Sequence, residues 1–156
     1  MSPNLFAPRP ALSVAAIRRA LSVGPLSGSW TPALLSVLRI AAAFLFVVHG
    51  TQKLLAVPGG MPGMPVELWS LAGAAGVIES VGGVLLLLGV FTRPVAFVLS
   101  GEMAFAYFLR HAPRGFWPVL NGGELAALYC FLFLFLAAAG GGPWAIDAIR
   151  RRRAWA

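Results

Sequence analysis

Four long apolar stretches, at roughly 33–55, 68–90, 94–112 and 121–140, occupy nearly everything after residue 32. Crossing the hydrocarbon core of a bilayer takes about 20 predominantly apolar residues per helix, so each stretch predicts a membrane-spanning helix. The segments between them are rich in helix breakers. Val57-Pro-Gly-Gly-Met-Pro-Gly-Met-Pro65 cannot continue a helix and predicts a turn. Gly89-Val-Phe-Thr-Arg-Pro94 is short and predicts an antiparallel hairpin, with Pro94 in the first turn of the third helix. Pro113, Gly115 and Pro118 break the chain again, with Phe116 and Trp117 placed for an interfacial aromatic belt. Asn121 is expected to cap the fourth helix, and Gly140-Gly-Gly-Pro143 to end it. Residues 1–32 are rich in Pro, Ser and Ala and read as a cytoplasmic tail with one short surface helix.

Polar positions inside the apolar stretches sharpen this picture. Three of the five acidic residues, Glu79, Glu102 and Glu124, fall in different spans. An ionisable group at membrane depth costs at least ~2.5–3.5 kcal/mol, so such groups face the bundle, pair, and mark functional pathways. In the first span Arg39 and Lys53 lie roughly four turns apart on one face, with His49 one turn before Lys53. In the second, Glu79 shares its face with Ala72, Ala75, Gly76, Gly82 and Gly83, small residues that let helix backbones approach. Counting about 1.5 Å per residue from the inner ends puts Arg39 roughly 9 Å deep and Glu102 roughly 12 Å deep, matched for a structural ion pair. The same count from the outer ends gathers His49, Lys53, His111 and Glu124 into a second cluster. Glu79 falls between the two, with no basic residue evidently matched to its depth. Bundle orientation alone, or snorkelling of Lys53 and Glu124, would account for several of these charges.

Composition agrees with a membrane protein and bounds its chemistry. The chain is 59% hydrophobic and only 11% charged, with a formal net charge of +7. The basic residues stand between or beyond the spans, not among aromatics on a polar surface, so no nucleic-acid partner is expected. Arg9, Arg18, Arg19, Arg93 and Arg150 to Arg153 would lie on one side and Arg110 and Arg114 on the other, which predicts cytoplasmic termini. The Arg150–Arg153 run, in the basic tail 148–156, would also be drawn to anionic lipid. Cys130 is the only cysteine, which excludes an intrachain disulfide or CxxC redox pair. Phosphate-cradling GxxxxGK[ST] or GxGxxG turns, HExxH and cysteine clusters are all missing, and no metal site is expected. Met61 and Met64 are soft copper(I) ligands in principle, but read better as packing in the Pro/Gly loop.

Leu38-Arg39, His49-Gly50 with Lys53, Glu79 before Gly82-Gly83, Gly89 with Thr92-Arg93-Pro94, Asn121-Gly-Gly-Glu124 and Gly140-Gly-Gly-Pro143 to Asp147 resemble, in this order, the DoxX family of small four-helix bacterial membrane proteins. The likeness covers roughly residues 36–150, nearly all of it in the membrane domain 33–147. The resemblance implies an inner-membrane protein near respiratory or sulfur redox chemistry, since relatives include membrane subunits of thiosulfate:quinone oxidoreductase. It carries no agreed catalytic residues.

The expectation is therefore an all-α, four-helix transmembrane bundle, multi-pass, with both ends cytoplasmic. Its leading function is that of a membrane subunit in a redox complex binding quinone or quinol. Glu79 and Glu102 would handle protons, and His49, Lys53, His111 and Glu124 would contact the substrate. Quinone reduction needs protons as well as electrons, and buried carboxylates can deliver them. Electrons would come from an oxidoreductase partner, soluble or membrane-bound. A haem ligated by His49 and His111 is the disfavoured cofactor. The alternatives are an accessory anchor that recruits a soluble oxidoreductase, and a small proton-coupled transporter, which would require a homo-oligomer.

Overall fold

The computed structural model of the protein describes residues 30–60 and 63–154. Among these residues every regular element is helical. Helix α1 covers Trp30–Leu55, α2 Leu71–Leu88 and α3 Thr92–Ala106; a single turn α4, Pro118–Asn121, precedes α5, Glu124–Ala139, and α6, Ile146–Ala154, follows. The four expected apolar helices thus correspond to α1, α2, α3 and α5. The expected tail, up to residue 29, and Met61 lie outside the described residues.

Length and apolarity separate the helices. At about 1.5 Å per residue, α1 with 26 residues and α2 with 18 are long and apolar enough to cross a membrane on those grounds alone. The third stretch is not one uninterrupted α-helix. It widens into a π-helical turn at Tyr107–His111 and tightens into a 3₁₀ turn at Ala112–Arg114. Pro113 lacks the amide that a continuing α-helix needs. The fourth stretch is also divided, because Gly122 in the left-handed conformation (φ 72°) closes α4 before α5 begins.

Local chemistry fixes the ends of α2. The Ser70 hydroxyl oxygen accepts the Gly73 amide at 3.0 Å, an N-cap that satisfies one unpaired donor. At the other end Gly89 adopts φ 70°, and its amide reaches back to Leu86 at 3.1 Å. A left-handed residue after a helix is cheapest as glycine.

The helices pack through small residues and aromatic rings. Gly73, Gly76, Glu79, Gly83 and Leu86 form the buried face of α2. At Gly50 of α1 a Cβ would stand 2.6 Å from the Ser80 amide nitrogen of α2, so only glycine permits this approach. Phe46 meets Phe133 edge-on at 4.8 Å, and Tyr129 stacks on Phe133 at 5.3 Å. Leu86, Leu99 and Leu136 are fully enclosed beside them.

The outward faces are apolar as well. Phe44 on α1, Val81 on α2, Phe97 on α3 and Phe131 on α5 are 56–70% exposed. Helices that are apolar all round suit a protein core or a membrane, and these helices already enclose a core. Their outer faces therefore match hydrocarbon.

Candidate functional site

An ion pair joins α1 to α2. Lys53 Nζ donates to Glu79 Oε1 at 2.5 Å, with the Glu79 side chain 2% exposed and that of Lys53 26% exposed. The pair follows from the packing of Gly76 on α2 against Lys53 and Leu54 on α1, which holds the two backbones close enough. Glu79 therefore does have a basic partner, contrary to the depth count. The lysine stem extends inward along the helix instead of snorkelling.

Glu79 Oε2 is buried and has no hydrogen-bond partner among the described residues, and the same holds for Glu102 Oε2 on α3 and Ser80 Oγ on α2. Glu102 lies within electrostatic range of Glu79 and Lys53, and His49 within range of Glu79. Buried polar atoms are nearly always paired. Two orphaned carboxylate oxygens, both within electrostatic range of one ammonium, make this the most chemically capable place among the described residues.

Arg39 and Glu102 are not an ion pair. The Arg39 guanidinium is 1% exposed, with Nε donating to Gly141 O at 2.9 Å and Nη1 to Leu86 O at 2.6 Å and to Leu87 O. A cation on the last carbonyls of α2 satisfies acceptors left open at the helix end and complements its dipole. Matched depth did not bring the two side chains together because rotation about the helix axes sends them to different neighbours.

The turn after α5 closes the same end of the molecule. Asp147 accepts the Phe91 amide at 3.0 Å and the Thr92 amide at 2.8 Å, so it caps α3 from a distant part of the chain. The Asp147 amide donates in turn to Gly89 O at 3.0 Å. Burial by itself would raise the Asp147 pKa, but the Thr92 and Phe91 amides and the charge of Arg151 outweigh it and hold the carboxyl below its ordinary value. This hub was missed in the sequence because its acceptors are backbone carbonyls. Its only signal was the company of Gly89, Gly140 to Gly142 and Asp147 among the family-like stretches.

The outer residues do not form one cluster. His49 packs edge-on against Tyr129 at 6.2 Å. His111 stacks on Tyr107, with Nδ1 3.2 Å from the Asn121 carbonyl oxygen. Glu124 is exposed in the first turn of α5, where a carboxylate suits the helix dipole. Asn121 is not the helix cap: its Oδ1 accepts the Gly123 amide at 2.8 Å and its Nδ2 donates to Gly115 O at 2.8 Å, bracing the loop before α5. The two histidines thus serve different neighbours.

A chain whose described elements are all helical, with lipid-compatible outer faces and charged side chains between its helices, is a membrane protein. The chain belongs to the DoxX family, whose profile matches residues 34–112. It is 48% identical over 127 residues to an uncharacterised protein of Haemophilus influenzae, covering 76% of this chain and 91% of that relative. No solved structure matches it.

Proposed function

We propose that the protein is a multi-pass protein of the bacterial inner membrane, with α1, α2, α3 and α5 crossing as a four-helix bundle and both termini in the cytoplasm. In this reading it is the membrane subunit of a redox complex and interacts with a quinone or quinol. The observation that carries the reading is the pair of carboxylates, Glu79 buried and Glu102 half-buried, each with a buried oxygen that no described protein group satisfies.

The chemistry of these side chains suits a quinone headgroup. Its ring oxygens need donors, and the cluster offers the Lys53 ammonium and the two carboxyls. When bound, a quinone supplies the two-electron chemistry that the side chains cannot. Lys53 occupies Glu79 Oε1 and fixes that carboxylate, leaving Oε2 to give or take a proton. Glu102, within electrostatic range of Glu79 and Lys53, is the second proton-handling group in this proposal. His49, near Glu79, is the third contact in this proposal; His111 and Glu124 belong to the outer loop and are the weaker substrate contacts. Electrons enter from an oxidoreductase partner.

The test is the quinone content of protein purified in mild detergent, measured by organic extraction and chromatography. Wild type is expected to carry stoichiometric quinone and Glu79→Gln at equal folding yield to lose it. Absence from both would overturn the quinone reading. The same orphaned carboxylates also suit a proton-coupled transporter, and charge movement in proteoliposomes without any quinone would favour that function.

A further inference from the structure

The hub at the α2–α3 turn borders a cleft of about 230 Å³ that the intramembrane cluster does not use. Arg93 and Arg151 line it, together with Thr92, Asp147 and the Gly140–Gly142 turn. Arg93 lies across the glycine turn: a Cβ on Gly140 would stand 3.5 Å from its Nε. Glycine here leaves the wall bare, so the guanidinium and the backbone share one concave surface. Thr92 is 1% exposed, and its hydroxyl sits beside the Asp147 carboxylate yet outside hydrogen-bonding geometry.

The charges in the cleft favour an anion. Asp147 is the one acidic group lining it, and both its oxygens are already engaged by the Phe91 and Thr92 amides. Two arginines therefore remain against one satisfied carboxylate, with buried Arg39 beneath the glycine turn at Gly141. Guanidinium forks match phosphate oxygens in pairs. The rim adds a second kind of recognition, because Phe91, which lines the cleft, is 64% exposed, as a side chain at a headgroup boundary is. Basic pockets between helices at the cytoplasmic face are where acidic lipid headgroups bind.

We propose that this cleft binds the phosphate of an anionic phospholipid, held between Arg93 and Arg151 over the Gly140–Gly142 turn with the Thr92 hydroxyl completing the site. The inference needs the membrane placement but not the redox reading. Free phosphate would meet the same arginines without the apolar rim, so the lipid is distinguished by its need for both.

The test uses full-length protein in detergent, titrated with phosphatidylglycerol or phosphatidylcholine and followed by native mass spectrometry. Wild type is expected to retain one phosphatidylglycerol in preference to phosphatidylcholine. Arg93→Ala/Arg151→Ala should weaken retention at least tenfold, while Arg152→Ala/Arg153→Ala, which removes the same charge away from the cleft, should leave it within twofold. Thr92→Val removes the hydroxyl without removing charge and should weaken retention severalfold, so the proposal stays testable if the double arginine variant folds poorly. Equal losses in the two arginine variants would reduce the effect to diffuse charge and overturn the site. Full displacement by millimolar inorganic phosphate would overturn the lipid assignment. Quinone content is expected to be unchanged in Thr92→Val, so failure here is separable from failure of the redox reading.

Discussion

The Lys53–Glu79 contact shows why a buried charge must be judged with its partner. Removing one member of a buried pair strands the other and typically costs about 3–5 kcal/mol, whereas replacing both by apolar residues is often close to neutral. Lys53→Met is therefore expected to destabilise the protein by roughly 3 kcal/mol, and Lys53→Met/Glu79→Met to recover most of that loss. Thermal unfolding in one detergent, comparing the two variants, checks the ordering. A double variant that stays as unstable as Lys53→Met would mean that the cluster does more for the fold than hold one ion pair. Recovered stability with lost quinone would separate structure from chemistry at these residues.

At the scale of elements, contact between α1 and α2 depends on the absence of side chains. A valine at Gly50 would drive its branches into Ser80, and overpacking of this kind costs about 1–3 kcal/mol; a Gly50→Val protein should show the corresponding fall in melting temperature, with Gly101→Val, where the added Cβ meets nothing within 4 Å, as the silent control. The Asp147 cap makes a prediction in pH. Its folded pKa lies below the unfolded value of about 3.9, so the cap's contribution is fully present above about pH 4 and is lost as pH falls through the lower folded value. Asp147→Ala should cost about 0.5–2 kcal/mol at neutral pH and should flatten the acid side of the stability curve. Much of this level was legible beforehand. Apolar runs bounded by Pro and Gly located the four helices, and charges within them identified Arg39, Lys53, Glu79 and Glu102 as interior. The pairings were not legible, because distance from a span end gives depth but no rotation about the helix axis. Lys53 consequently met Glu79, and Arg39 met carbonyls that no residue letter marks. The π-turn at Tyr107–His111 escaped for a similar reason, since a shift in which carbonyl an amide selects leaves the apolar pattern unchanged.

At the scale of the whole molecule, orientation and chemistry are linked. The contacts of Arg39 with Gly141, Leu86 and Leu87, and of Asp147 with Phe91 and Thr92, bring the α2–α3 turn and the start of α6 to one end. That end holds Arg93 and the exposed Arg150 to Arg153, whereas Arg110 and Arg114 follow α3 toward the other. Short basic segments stay on the cytoplasmic side, so the arginine-rich end should face inward. In a Cys130→Ser background, Gly115→Cys is expected to react with a membrane-impermeant maleimide on intact cells, and Arg152→Cys only after permeabilisation. The reverse pattern would turn the basic cleft toward the outside and overturn cytoplasmic termini. It would leave the Lys53–Glu79–Glu102 cluster intact but change which compartment exchanges protons with it. With Arg152 inside, Lys53 near the far end of α1 places the cluster nearer the outer surface, so the two protons that quinone reduction takes up there would be drawn from the outer side.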